Sequence, residues 1–220
     1  MIIVTDAGND INLAMQSAAV FARAFLEEGI NRYYLNLSRD DALCRLSAHM
    51  TRDSRFSLVS GEFRLLVAMK EKDVMGAAWV RSFPHPKKPL GKRFRLGLMR
   101  ARAMLPLIPM IRGRRAVQLG KAMQLEEPIL HPHLVLCALA VSPEHQGQGI
   151  GRCLLDRVHE ESVRSQGMGT YLVTGDERNR KIFERSDYHM LQENQVGELT
   201  IYHMFRPNNS YVPMRCEEGE

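Results

Sequence analysis

The 220-residue sequence is poor in the residues that would mark an exported or metal-built protein. Its four cysteines, Cys44, Cys137, Cys153 and Cys216, are scattered and form no C-x-x-C pair. That spacing supports neither a disulfide framework nor a zinc site, and it reads as free thiols in a reducing cytosol. No apolar run approaches the ~18 residues that a membrane span needs, and the N-terminus lacks a basic stretch followed by an apolar one. A soluble, cytoplasmic chain with no membrane span is therefore expected. Repeats, low-complexity tracts and a recognisable interdomain linker are also missing, so residues 1–220 are read as one domain, long enough to bury a core without staples. The lone tryptophan, Trp79, is expected in that core.

A local absence is more informative. Between His85 and Gln124 there is no Asp or Glu, but there are eleven basic residues: Lys87, Lys88, Lys92, Arg93, Arg95, Arg100, Arg102, Arg112, Arg114, Arg115 and Lys121. The formal net charge is +5, with 30 Lys and Arg against 25 Asp and Glu. Without the eleven, nineteen basic residues face 25 acidic ones, so the rest of the chain is acidic. Such asymmetry points to an acidic partner: nucleic acid, a membrane surface or an anionic small molecule. Only Phe94 is aromatic in this segment and no nucleic-acid module is recognisable, so no specific nucleic-acid partner is expected. A solvated basic face, or cations guiding an anionic ligand, is the simpler account.

Patterning along the chain alternates between helix and strand. After a short apolar start at Ile2 to Val4, Asp10 can cap a helix carrying Leu13, Val20, Phe21, Ala24 and Phe25 at helical spacing, with Gly29 as its end. Ser38 and Asp41 resemble a capping box for a second, shorter helix bearing Leu43 and Leu46. EFRLLVAM, the polar turn Lys70 to Asp73 and VMGAAWVR predict a hairpin. Pro84, Pro86 and Pro89 mark an irregular connection. The basic segment then allows two helices broken near Pro106 and Pro109. LVLCALAV from Leu134 is short, apolar and bounded by Pro132 and Pro143, as a buried strand should be. Beyond a glycine loop, Ile150, Leu154, Leu155 and Val158 share one face of a helix ending near Gly167. TYLVT (Thr170 to Thr174) completes a strand–helix–strand unit suited to a parallel pair. Asn179 to Arg185 predicts a short helix and Leu199 to Phe205 a last strand. The tail after Pro207 is polar.

The glycine loop carries the chemistry. Gly147, Gly149 and Gly151 alternate between a buried strand and the mouth of an amphipathic helix, where unpaired amides and the helix dipole favour an anion such as phosphate. The spacing excludes two nucleotide motifs. A dinucleotide fingerprint would need glycine three residues after Gly149, where Arg152 stands, and the Gly-Lys-Ser/Thr ending of a Walker loop is absent. Gln146, Gly149 and Gly151 instead resemble the pyrophosphate loop of the GNAT (GCN5-related) N-acetyltransferase superfamily, Gln or Arg, two residues, Gly, one residue, Gly or Ala. The resemblance extends upstream to the strand exit Leu139 to Pro143. Downstream, Asn179 in NRKIFERSDY is in register with the family's Asn-x-x-x-Tyr-x-x-x-Gly-Phe segment. PHLVLCALAV, the long insert before the loop and the early AFLEEG segment further resemble the puromycin N-acetyltransferase-like branch.

This resemblance implies an α/β (α+β) fold built on a central mixed sheet, with splayed fourth and fifth strands flanked by helices. Residues 1–131 would form the acceptor-side half, 132–206 the CoA-binding half and 207–220 a polar tail. It implies acetyl-CoA as co-substrate and transfer of acetyl to an amine of a small molecule or peptide by direct attack, in a monomer or homodimer. Gln146, Gly147, Gln148, Gly149, Ile150, Gly151 and Arg152 would cradle the pyrophosphate. The backbone of Leu139, Ala140 and Val141 would pair with pantetheine as an added strand, with Asn179 and Phe183 along the arm. Candidates for the base are Glu126 and Glu127, whose alternative role is a solvated acidic pair. The acid is harder to place. Phe183 stands where the family has Tyr, so Tyr188, Tyr171 or Ser186 would have to serve, or the thiolate leaves unassisted. Otherwise the chain binds acyl-CoA without turnover. His131 and His133 form a pair without a third ligand, so no metal is expected. Cys137 and Cys153 are expected as buried packing residues. Tyr33 and Tyr34 follow the first helix, where the resembling branch builds part of its acceptor site, but ordinary packing explains them equally.

Overall fold

The computed structural model describes residues 2–84 and 88–208. Lys87 of the basic segment, Cys216 and the tail beyond Asn208 lie outside the described residues.

Strand β1 (Ile3–Asp6) leads into helix α1 (Ile11–Phe25). The Asp10 carboxylate accepts the amides of Asn12 and Leu13 at 2.8 and 3.2 Å, so the expected cap forms. Ala14, Ala18 and Phe21, at four- and three-residue spacing, are buried, and the Phe21 ring lies 4.7 Å from that of Trp79. Gly29 does not end this helix but opens a second one, α2 (Gly29–Tyr34), whose N-cap is Glu28, accepting the Asn31 amide at 2.8 Å. A glutamate cap is not among the usual Ser, Thr, Asp and Asn signals, so this helix is not legible in the sequence. Helix α3 (Ala42–Ser60) begins beside Asp41 as expected but is longer than α1, 19 residues against 15. The Asp41 carboxylate makes no cap there and pairs instead with Arg39 and Arg45.

The predicted hairpin is β2 (Phe63–Lys70) and β3 (Asp73–Phe83). After it come α4 (Leu90–Met104), a 3-10 segment at Leu105–Met110 holding both prolines, and α5 (Gly113–Ala122). Strand β4 (His133–Val141), α6 (Ile150–Arg164) and β5 (Gly169–Thr174) form the expected parallel unit. Helix α7 (Glu177–Glu184), β6 (His189–Val196) and β7 (Leu199–Pro207) complete the order. The sequence does not announce β6, because HMLQENQV is an edge strand whose side chains are mostly exposed.

Seven strands form one mixed sheet in the order β1-β2-β3-β4-β5-β7-β6, parallel only between β4 and β5. One face, with Leu65, Val67, Ala77 and Trp79, packs on α1 and α3, while Leu66, Ala68, Ala78 and Val80 pack on α6. A smaller cluster of Leu119, Val196, Leu199 and Ile201 joins α5 to β6 and β7. Helix α6 is further fixed by Glu161, whose side chain is 1% exposed and pairs with Arg64 at 2.7 Å and with Arg157 and Arg164 at 2.8 Å.

Two features of β4 shape the centre of the sheet. Its pairing with β3 skips a residue, since Trp79 faces Ala138 but Val80 faces Leu136, which leaves Cys137 as a bulge. Its parallel pairing with β5 covers only Leu134 to Leu136 against Thr170 to Leu172. From Cys137 to Val141, β4 has a partner on the β3 side alone, while β5 continues against β7 to Thr174. The two parallel strands therefore part company, and a wedge opens between them.

Candidate active site

The glycine loop stands at the outer end of this wedge. After Val141 the chain makes a short 3-10 turn, Pro143–His145, and then passes Gln146 to Gly149 into α6. Gly147 and Gly149 have φ of +76° and +79°, a left-handed conformation that side chains with a Cβ disfavour. A Cβ at either position would meet nothing within 4 Å, so the loop's outer surface is open space. The amides of Gly147 to Arg152 find no acceptor among the described residues. Six adjacent donors at a helix start, with Arg152 exposed beside them, form a cradle for a phosphate anion. The Gln146 side chain donates back to the Val141 carbonyl at 3.4 Å and that of Gln148 to the Glu144 carbonyl at 3.5 Å, so both brace the loop. Glu144 is tied to α1 by Arg23 at 2.9 Å, and its hydrogen bond from Ser142 holds its carboxyl below the usual range.

Leu139 and Val141 contribute side chains to the α6 face and Ala140 to the α1 face, which leaves the β4 backbone as the wall of the wedge. An extended polyamide can pair there as a strand would. Asn179 lies on α7, which packs against β5. Its amide is capped by Asp176, and its half-buried side chain has no hydrogen-bond partner among the described residues. Amide cradle, bare strand edge and free carboxamide suit a diphosphate carrying a pantetheine arm, so the residues present fit CoA.

The expected acid and base residues are placed less favourably. Tyr188 is 1% exposed in the core under α6, its hydroxyl 3.1 Å from His159 Nε2, and burial holds its proton far above the usual phenol range. This corrects its reading as a catalytic acid: it is a core residue. Phe183 lies against it, ring centroids 5.5 Å apart, half-buried at the edge of the same core cluster. Tyr171 donates to His203 Nδ1 at 2.6 Å, and His203 Nε2 in turn donates to the Ala122 carbonyl at 2.9 Å. Burial pushes the Tyr171 phenol to about 12 and lowers His203, so this chain is a neutral, closed network. Ser186, just past α7, donates back to the Ile182 carbonyl of that helix. Glu126 and Glu127 are exposed on the connection from α5 to β4, where the Glu126 amide donates to Gln192 on β6, with β7 between that strand and β5.

Groups with shifted protonation lie at α2, which meets the end of β5. A Cβ on Gly29 would lie 3.0 Å from the Gly175 carbonyl oxygen, so α2 begins directly over the end of β5. Beside it Glu28 is enclosed. Burial raises its carboxyl above the usual range, two backbone hydrogen bonds oppose this, and Asp176 adds to the rise. Tyr34, also enclosed and near Glu28, is pushed up to about 12. The sequence gives no sign of Glu28, because AFLEEG reads as the exposed end of a helix. Its raised carboxyl depends on the contact with β5, which is remote in sequence.

A cavity of about 330 Å³ continues from here over the α1 face of β3 and β4, with Tyr34 and Asn31 at one end and Cys137 and Ala138 on its floor. Cys137 and Cys153 are both solvent-accessible, which corrects their expected burial. Protein around the Cys137 thiol still pushes it up to about 11, against the lowering effect of Arg81, so it is no thiolate nucleophile. Tyr33 is a packing residue, its hydroxyl on Gln118 and the Arg115 guanidinium 5.2 Å from its ring centroid. His133 is buried between Phe83 and Tyr171, lowered by desolvation, with Nδ1 2.7 Å from the His131 carbonyl. No cluster of three or more metal-ligating side chains occurs among the described residues. The basic segment is not one patch. Lys88 pairs with Glu62, Arg112 and Arg115 reach carbonyls of α2, and Arg100 lines the cavity.

Known proteins share this fold. Residues 115–190 match the family model described as acetyltransferase (GNAT) domain. A histone acetyltransferase HPA2 and related acetyltransferase structure from Corynebacterium glutamicum superposes with a TM-score of 0.61 at 17% identity, over 97% of this chain and 99% of that one. A mosquito arylalkylamine N-acetyltransferase like 5b gives 0.57 at 16% identity, over 94% and 100%. YncA of Salmonella typhimurium, solved with its cofactor acetyl-CoA, gives 0.51 at 16% identity, over 98% and 99%. At these identities the likeness is one of fold. No match was found among curated protein sequences. Among the described residues no helix is long and apolar enough to cross a membrane.

Proposed function

We propose that this chain, with its GNAT fold and the GNAT family pattern across residues 115–190, is an acetyl-CoA-dependent N-acetyltransferase acting on an amine of a small molecule or peptide. The observation that carries the reading is the wedge between β4 and β5, with six unpaired amides at its mouth. When bound, acetyl-CoA supplies the acetyl thioester. Gly147 to Arg152 hold the diphosphate, the β4 edge from Leu139 to Val141 aligns the arm, and Asn179 steadies it from α7. Glu28 takes the proton of the acceptor ammonium, its raised carboxyl bringing it closer to the amine it must relieve. Tyr34, which keeps its proton to about 12, donates to the departing sulfur. Glu126 and Glu127 remain the rival base, acting through a water from the α5–β4 connection. The relatives named for arylalkylamine and histone acetylation, and the resemblance to the puromycin N-acetyltransferase-like branch, support an amine acceptor of either size.

The test is release of free CoA thiol from acetyl-CoA with a panel of primary amines. Release above the hydrolysis background with at least one amine is expected. The second reading, an acyl-CoA sensor without turnover, is favoured by Phe183 at the usual tyrosine position. Tight CoA binding with no thiol release across the panel would establish it instead.

A further inference from the structure

The cavity on the α1 face holds charged side chains that make no close ion pair, although Arg100 and His49 lie near enough to Asp53 to act on its carboxyl. Arg81 of β3, Arg100 of α4 and Asp53 of α3 all line the cavity. None of the three side chains makes an ion pair or hydrogen bond among the described residues. Arg81 Nε and Trp79 Nε1 are buried donors with no partner. Buried donors are usually satisfied in folded proteins, and of the seven buried side-chain N and O atoms without a partner among the described residues these two belong to residues of this one cavity, where a bound group can supply an acceptor. Two guanidinium groups against one carboxyl leave the cavity net cationic, and the carboxyl of Asp53 is itself raised, chiefly by burial. Phe25, Phe56, Phe63 and Trp79 give the cavity aromatic walls, and Asn31, Tyr34 and His49 add polar groups to its lining. At about 330 Å³ the space is at the small end of ligand sites, roughly 300 to 1,000 Å³.

Position along the strands relates the charges to the wedge. Trp79 faces Ala138 at the bulge, where the strands part, and Arg81 faces Val135, two residues deeper. At ~3.3 Å per residue, Arg81 sits about 7 Å below the level of Ala138. A ligand that reaches the wedge with its amine thus has an aromatic wall alongside and a guanidinium beneath.

We infer that the acceptor is an aromatic or apolar amine that also carries a carboxylate, which Arg81 and Arg100 bind while the amine faces the wedge at Ala138. The assignment rests on the acetyltransferase reading for the role of the amine, and on the cavity alone for the carboxylate. Arg100 comes from the basic insert, so one cation of that segment closes the acceptor site.

Calorimetry tests it with matched pairs that differ by one carboxylate: L-phenylalanine against phenethylamine, and 4-(aminomethyl)benzoate against benzylamine, each titrated with and without saturating CoA. At least one carboxylate should bind on the order of ten- to hundredfold tighter than its partner, the value of a charge-assisted pair removed from solvent. Arg81→Met and Arg100→Met should each erase most of that preference while CoA affinity stays unchanged. Equal or weaker binding of both carboxylates, or a preference that survives in both variants, would overturn the inference. Failure of CoA itself to bind would instead remove the acetyltransferase reading, and the titrations without CoA would still report on the pocket.

Discussion

Gly149→Val separates ligand binding from folding more sharply than any other change at the loop. At φ +79° and ψ 1° the position is left-handed, and forcing a residue with a Cβ into it costs about 1–2 kcal/mol, somewhat more for a β-branched side chain. Because a Cβ there meets nothing within 4 Å, no further clash with the protein adds to this cost. The variant should therefore fold, with its thermal midpoint lowered by several degrees. The same open space is where the diphosphate must approach the amides of Gly147 to Arg152. Loss of two charge-assisted hydrogen bonds, each worth about 1.5–3 kcal/mol, predicts a CoA affinity weaker by roughly 10²- to 10⁴-fold. Isothermal calorimetry with CoA measures this directly, and pantetheine, which lacks the diphosphate, serves as control because its affinity should not change. A folded Gly149→Val protein binding CoA within threefold of the parent would refute the loop's role.

Glu28→Gln keeps the oxygen that caps α2 but removes the base, so turnover should fall by about 10²- to 10⁴-fold. The raised carboxyl predicts a rate that climbs with pH through a value above the ordinary glutamate range, and the variant should lose that limb. For stability the sign is opposite: a group raised in the folded state stabilises below its unfolded value and loses that contribution as pH rises through its folded value. Once ionised, Glu28 is therefore a cost, and above its folded value the variant's melting temperature should hold or rise. Retained turnover in Glu28→Gln, with loss in Glu127→Gln, would move the base to the α5–β4 connection. Glu161→Gln should destabilise by about 2 kcal/mol in urea, less than a fully enclosed pair, because its three arginines are 27–62% exposed and can turn to water. A loss under about 0.5 kcal/mol would show that the cluster does not anchor α6.

The legible parts of the sequence are those where local pattern and tertiary outcome coincide. LVLCALAV, the glycine loop and the face of Ile150, Leu154, Leu155 and Val158 each encode their element within a few residues, and the parallel unit follows. Asp10, Pro106 and Pro109 act locally too. What stays hidden depends on contacts distant in sequence. β6 has too few apolar residues to show a period and exists because β7 pairs with it. The bulge at Cys137 is a mismatch between two strands and has no signature in either one. Glu28 looks like surface until Gly29 is set against Gly175.

The same distinction bears on the missing proton donor. The family pattern directs attention to FERSDY, yet there Phe183 and Tyr188 meet edge to face and Tyr188 is sealed under α6, so these two rings contribute packing. Its hydroxyl could reach the wedge only by leaving His159 and the core, losing a buried hydrogen bond worth about 1 kcal/mol along with the burial of its ring. Tyr34 needs no such movement, since it already lines the cavity floored by Cys137 and Ala138, and enclosure keeps its proton in place to about 12. In the proposed mechanism, with Glu28 as base, both proton transfers fall to the α2 corner, while the loop and β4 would position the thioester. On this reading a chain that lacks the tyrosine expected on α7 retains acid assistance from α2, which meets the end of β5 beside the start of α7.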